Sequence, residues 1–151
     1  YLAKTYDSKL KSQQGVGRKV AVGSSVLASL FQYRIGGFQG MKARPAKVPA
    51  EPLVLYSFET SPYSKPVRAR LCELEIPYLL KNTPKGKMTD LGPAVFRDKI
   101  FKGPKATTRN RAWLAENTGH VQVPYLIDPN TGVAMYESND ILRYLDSTYG
   151  A

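Results

Sequence analysis

Residues 121–145 read VQVPYLIDPNTGVAMYESNDILRYL, and the chain's organisation can be worked out from them. Val121, Val123, Tyr125 and Ile127 alternate with other residues at the period of a half-buried strand. Asp128-Pro129-Asn130-Thr131-Gly132 then carries turn chemistry: a fixed φ at proline, a self-bonding asparagine and a glycine free to take positive φ. A second short strand, Val133–Tyr136, completes a hairpin. Ser138 can accept from unpaired helix N–H groups as an N-cap, and Asp140 suits the positive end of the helix dipole. Ile141, Leu142, Leu145 and Tyr149 share one helical face. Pro124 stands out, because a proline cannot donate to a sheet ladder and belongs at an edge or a special position.

Upstream, Leu53–Phe58 (LVLYSF) is a short apolar strand, and Thr60–Ser64 turns the chain into a helix. Val67, Leu71 and Leu74 give that helix a buried stripe, while Arg68, Arg70, Glu73 and Glu75 face water. Pro77 stops it, and Tyr78–Lys81 is the next strand. A strand–helix–strand unit of this length demands parallel pairing through a right-handed crossover. Thr108–Glu116, with Trp113 and Leu114, forms a further short helix. The expected architecture is α/β, βαβ-α-ββα, with a mixed four-stranded sheet and helices on both faces.

Val123-Pro124 at a strand start, a hairpin, then Glu137-Ser138 at a helix start occur in this order in thioredoxin-like domains of the glutathione S-transferase N-terminal type, which the chain resembles. The resemblance implies a cis Pro124. It also implies that the backbone at Val123 pairs with the cysteinyl part of glutathione, and that Glu137 and Ser138 hold the γ-glutamyl end. The physics is coherent without the family, since a strand edge beside a helix N-terminus suits an extended peptide ending in a carboxylate. The plainer alternative is that Pro124 is an edge proline and Ser138 a cap.

In glutaredoxins and cysteine-type transferases the first turn reads CPYC or CPFx; here it is Ser61-Pro62-Tyr63-Ser64. A helix N-terminus stabilises a thiolate, but a serine hydroxyl is far too weak an acid and forms no disulfide. Thiol–disulfide exchange is therefore not expected at this motif. Ser61 is the position that would donate a hydrogen bond to the glutathione thiolate in a serine-type transferase; otherwise it is a turn or cap serine. Pro66 favours a helix start near Ser64, which would draw Ser61 away from the dipole. The only cysteine, Cys72, reads as a buried small hydrophobe. One cysteine and one histidine, His120, exclude a disulfide framework, a CxxC site and His-rich metal sites. No metal site and no required cofactor are expected, and glutathione is the candidate ligand.

Residues 1–50 carry nine Lys/Arg against one Asp, and residues 81–112 nine against two Asp, so the positive charge lies outside the best-formed parts of the domain. That pattern suggests an anionic partner. The pattern YLxxTY occurs at Tyr1–Tyr6 and again at Tyr144–Tyr149. It suggests residues 1–6 as the tail of a preceding repeat, the plainer alternative being an ordinary short helix. Residues 7–52 are then a basic linker with a short amphipathic helix over about 20–33, and residues 53–151 the domain proper, with a basic insert over about 85–107. Tandem domains of this kind resemble a plastid group of plants and algae, whose link is much shorter where the insert stands here. Leu27, Leu30, Phe31 and Arg34 of the amphipathic segment, and Phe96, Ile100 and Phe101 of the insert, are interface candidates. The uncharged run Val20–Phe31 is too short to span a hydrocarbon core. It suits docking on a protein, on a membrane interface or on its own domain.

Two functions follow. In the first, the chain is a non-catalytic thioredoxin-fold scaffold or accessory subunit on a larger plastid complex, on the stromal side at a membrane surface, with a photosynthetic assembly the most concrete candidate. The second is a serine-type glutathione transferase or glutathione-binding protein using Ser61, Val123, Pro124, Glu137 and Ser138. Nucleic acid ranks last, because the basic stretches lack interleaved aromatics on a sheet face.

Overall fold

The computed structural model describes residues 23–24, 39–87 and 106–151. The proposed repeat tail 1–6, the linker 7–19 and most of the amphipathic segment lie outside these residues, as do Leu27, Leu30, Phe31, Arg34, Phe96, Ile100 and Phe101. The chain divides into two compact units, residues 1–38 and 39–151. Of the first, Gly23 and Ser24 are helical and exposed.

The second unit runs β1 (Leu53–Ser57), α1 (Ser64–Glu73), β2 (Tyr78–Asn82), α2 (Arg109–Thr118), β3 (Tyr125–Asp128), β4 (Val133–Met135) and α3 (Ser138–Tyr149). The sheet order is β2-β1-β3-β4. β1 pairs β2 in parallel, and β3 pairs antiparallel with both β1 and β4. This is the expected mixed, thioredoxin-like sheet. Period-two alternation along β1 sends Leu53 and Leu55 to one face and Val54 and Tyr56 to the other. The first face packs on α1 and α3 through Val67, Leu71, Leu74, Ile76, Leu126, Ile141, Leu145 and Tyr149. Each such side chain contributes about 1.5–3 kcal/mol by leaving water. The second face packs on α2 through Tyr56, Leu114 and Tyr125.

Several boundaries differ from the sequence reading. β3 begins at Tyr125 rather than Val121, because Pro124 has no N–H to give the ladder. α1 leaves its helix before Pro77: Glu75 takes φ +50°, its N–H bonds Cys72 O, and the Ile76 N–H bonds Leu71 O. That is the 6→1, 5→2 pattern of a Schellman end, with glutamate where glycine is usual. Arg70 and Glu73 do not simply face water. Arg70 bonds both Glu73 (2.9 Å) and Asp146 of α3, and its side chain is 21% exposed. Cys72 is exposed rather than buried, with its Sγ 3.6 Å from the carbonyl oxygen of Gly40.

Residues 39–52 turn at 39–42 and then run along the domain. The Arg44 N–H donates to Glu73 O (2.7 Å), the Lys47 N–H to Tyr149 O (2.8 Å) and the Ala151 N–H to Pro45 O (3.2 Å). Gly40 has φ +79° and lies so near Ala69 that a Cβ would stand 3.2 Å from that residue's own. Asn130 in the β3–β4 turn ties down the far end, accepting from Glu51 N–H (2.8 Å) and donating to Glu51 O (2.9 Å).

Candidate functional site

Strand register brings the candidate residues to one end of the sheet. Tyr56 of β1 lies opposite Tyr125 of β3, and Leu126 opposite Met135 of β4. The exit of β1, the entry to β3 and the exit of β4 therefore share an edge. From that edge spring the Ser61 turn, the Val123-Pro124 segment and the Glu137-Ser138 helix start.

At the β1–α1 turn, the Ser61 N–H donates to Phe58 O (3.0 Å). α1 does start at Ser64, yet Ser61 is not drawn away from it. The Ser61 Oγ accepts from the Ser64 N–H at 3.3 Å, and its carbonyl accepts from Lys65 N–H at 3.3 Å. The hydroxyl thus acts as the missing cap of α1, whose own N-cap residue, Tyr63, supplies none. Pro66 falls third in the helix, where an N–H would have had no intrahelical partner. Ser61 is 8% exposed, while Tyr63 at the rim is 59% exposed. Among the described residues the Ser64 Oγ, fully buried, has no hydrogen-bond partner, and neither has the Ser57 Oγ at the end of β1. Neither of the two motif positions carries a thiol.

The Val123-Pro124 peptide is cis, as the resemblance implied, and Pro124 is buried. Val123 is half-buried beside Tyr125. Glu137 is the N-cap of α3, with φ +65° and ψ +115°, far from any well favoured by L-residues. Ser138 is therefore the first helical residue rather than the cap, because the sharp turn at Glu137 starts the helix one residue sooner than expected. The Glu137 side chain does not cap α3, and among the described residues no other side chain does, which leaves its first N–H groups available there. Asp140 sits in the first turn and pairs with Arg143. The Glu137 carboxylate accepts from Gln122 Nε2 at 2.7 Å. Gln122 was missed from the sequence; its only signal is its place two residues before Pro124.

Aromatic packing supports this edge from the α2 face. Trp113 stacks on Tyr56 at 4.9 Å between ring centroids, and Tyr125 meets Tyr136 at 4.3 Å. The Tyr136 hydroxyl pairs with Thr118 Oγ1 (2.5 Å) and donates to His120 O (3.3 Å). Burial pushes the Tyr136 phenol above its ordinary range despite that bond to Thr118, so it stays neutral. His120, exposed in its loop, sets its ring edge-on against Tyr136.

A second anchor fixes α3. The fully buried carboxylate of Asp128 accepts from the hydroxyls of Tyr144 (2.6 Å) and Tyr149, and from the N–H (2.8 Å) and Nδ2 (2.9 Å) of Asn130. One carboxylate thus joins the end of β3, the turn and α3. Asp128 is more than the turn residue the sequence suggested.

No curated protein matches the chain. Among solved structures it resembles a glutathione S-transferase from the Antarctic clam Laternula elliptica, at 23% identity and a TM-score of 0.44, over 66% of this chain and 36% of that one. It also resembles the Bombyx mori glutathione transferase BmGSTD1, at 22% identity and a TM-score of 0.44, over 69% of this chain and 38% of that one. The chain thus spans little more than a third of the length of these proteins. The family model described as "Glutathione S-transferase, N-terminal domain" matches residues 55–151, well over half of the chain. The chain belongs to the glutathione S-transferase N-terminal domain family.

Proposed function

We propose that this domain binds rather than reacts: a non-redox accessory module that keeps a groove for an extended thiol peptide of the glutathione type. The observation that carries the reading is Ser61. At the position where a thiolate would be stabilised, a hydroxyl 8% exposed caps α1 instead, and the only cysteine lies on the exposed side of that helix. The groove's other parts remain, in the polar edge at Val123, the uncapped start of α3 and the Glu137 carboxylate. In the whole protein the module would serve as an accessory subunit docked on a larger plastid assembly at a membrane surface, the abundant positive charge giving it an anionic counterpart. The test pairs calorimetry with an activity assay. Reduced glutathione should bind with a millimolar or tighter Kd, weakened by Glu137→Ala, while conjugation to 1-chloro-2,4-dinitrobenzene stays at the uncatalysed rate. Absence of binding would remove the groove from the account.

One observation favours a serine-type transferase as the second reading. The Ser61 Oγ is an acceptor toward Ser64 N–H, which leaves its own hydrogen to donate to a thiolate. Turnover lost on Ser61→Ala with glutathione affinity retained would favour that reading over the first.

A further inference from the structure

Among the described residues β2 is the outer strand of the sheet, bonded on one side only. Which of its backbone groups face outward follows from the register. The Leu53 N–H donates to Pro77 O (3.1 Å) and the Thr83 N–H to Ser57 O (2.9 Å). In a parallel ladder this parity commits Leu79 and Lys81 to β1 and turns the N–H and C=O of Tyr78 and Leu80 away from it. The Asn82 carbonyl, next in that outward row, is already taken by Asn110 Nδ2. Among the described residues nothing bonds the four groups of Tyr78 and Leu80. Leu79 is 56% exposed and Leu80 40% exposed, one on each face of the sheet beside this open edge.

Charge is arranged along the same edge. Lys81 is exposed near the C-terminal end of β2, and Lys87 is exposed in the segment that follows the strand. Arg109 is exposed at the start of α2, which is tied to this end through Asn110 and through the bond from Thr108 Oγ1 to Pro84 O (3.1 Å). No Asp or Glu occurs between Ile76 and Lys87 or between Ala106 and Ala115. A second copy of the chain is a poor occupant, since its own β2 brings the same lysines and the chain carries a net charge of +10.

We infer that the β2 edge docks an extended acidic segment of a partner protein as a fifth strand. The added strand runs antiparallel, with consecutive β-branched residues over Leu79 and Leu80, one on each face, and carboxylates at its N-terminal end facing Lys81, Lys87 and Arg109. This names the chemistry of the partner, and it rests on the docking half of the proposed function, not on the glutathione groove.

The probe is a fluorescein-labelled peptide, DEDEVTVTV, titrated into the full chain by anisotropy, with KRKRVTVTV as its charge-reversed counterpart. The acidic peptide should bind at least tenfold more tightly. Leu80→Pro removes one outward N–H without changing charge or the β1 ladder, and should weaken binding at least tenfold while the glutathione titration is unchanged. Amide hydrogen exchange on the unaltered chain gives the same answer without a variant. The peptide should slow exchange at Tyr78 and Leu80 and leave Leu79 and Lys81 as they were. Binding indifferent to Leu80→Pro, with no new protection at those two amides, would reduce the edge to diffuse charge attraction and overturn the inference. So would a peptide-free dimer that Leu80→Pro dissociates, which would make a second copy the occupant. A failed glutathione titration with intact peptide binding would sink the groove alone.

Discussion

Glu137→Gly separates stability from binding at the start of α3. The glutamate holds φ +65° and ψ +115°, a conformation that costs an L-residue about 1–3 kcal/mol and that glycine adopts freely. Glycine returns about 0.5–1 kcal/mol of that gain through the greater freedom of the unfolded chain. It also loses the exposed bond from Gln122, worth about 0.5–1 kcal/mol. The balance is a stabilisation of about 0.5 kcal/mol, which for a domain of this size raises Tm by roughly 2–4 °C. Glu137→Ala keeps the Cβ and so the strain, loses the same bond and should be slightly destabilising. Both variants should lose glutathione affinity, because both lose the carboxylate. Urea titration with matched m values supplies the stabilities. A Glu137→Gly protein no more stable than Glu137→Ala would refute the argument that this backbone is strained for the sake of a site.

Three other outcomes follow from the geometry. Burial alone would raise the Asp128 carboxyl, but bonds from Tyr144, Tyr149 and Asn130 outweigh it and hold the group below its ordinary range. Its folded pKa is thus below the unfolded value of about 3.9, so its contribution is complete above that pH and fades as pH falls through the folded value. Asp128→Ala should cost about 2–4 kcal/mol at pH 7 and flatten the acid limb of a stability–pH profile below about pH 4. In a Cys72→Ser background, Ser61→Cys should yield a thiol that iodoacetamide alkylates well below pH 8, because the Ser64 N–H and the α1 dipole favour a thiolate there. Leu71→Ala, at a fully buried α1 position, should cost about 2–5 kcal/mol by urea titration.

The sheet and its helices were legible because each carries its own period. Leu53 and Leu55 alternate with Val54 and Tyr56, and Val67, Leu71 and Leu74 recur at helical spacing. The cis peptide at Pro124 was legible only through the family resemblance. What the sequence hid were tertiary choices. Nothing local says that Glu137 rather than Ser138 takes the cap position, or that Gln122 reaches it across 15 residues. Asp128 looked like a turn former because its partners Tyr144 and Tyr149 come from a later helix. Cys72 looked buried by residue type, but at helical spacing it sits one step past Leu71 and so turns outward.

Whether the peptide groove survives without its sulfur is read from amide NMR of the ¹⁵N-labelled full chain titrated with reduced glutathione. Saturating shifts at Val123, Glu137 and Ser138 are expected by millimolar ligand. Unmoved amides at these three residues would mean that no groove is retained.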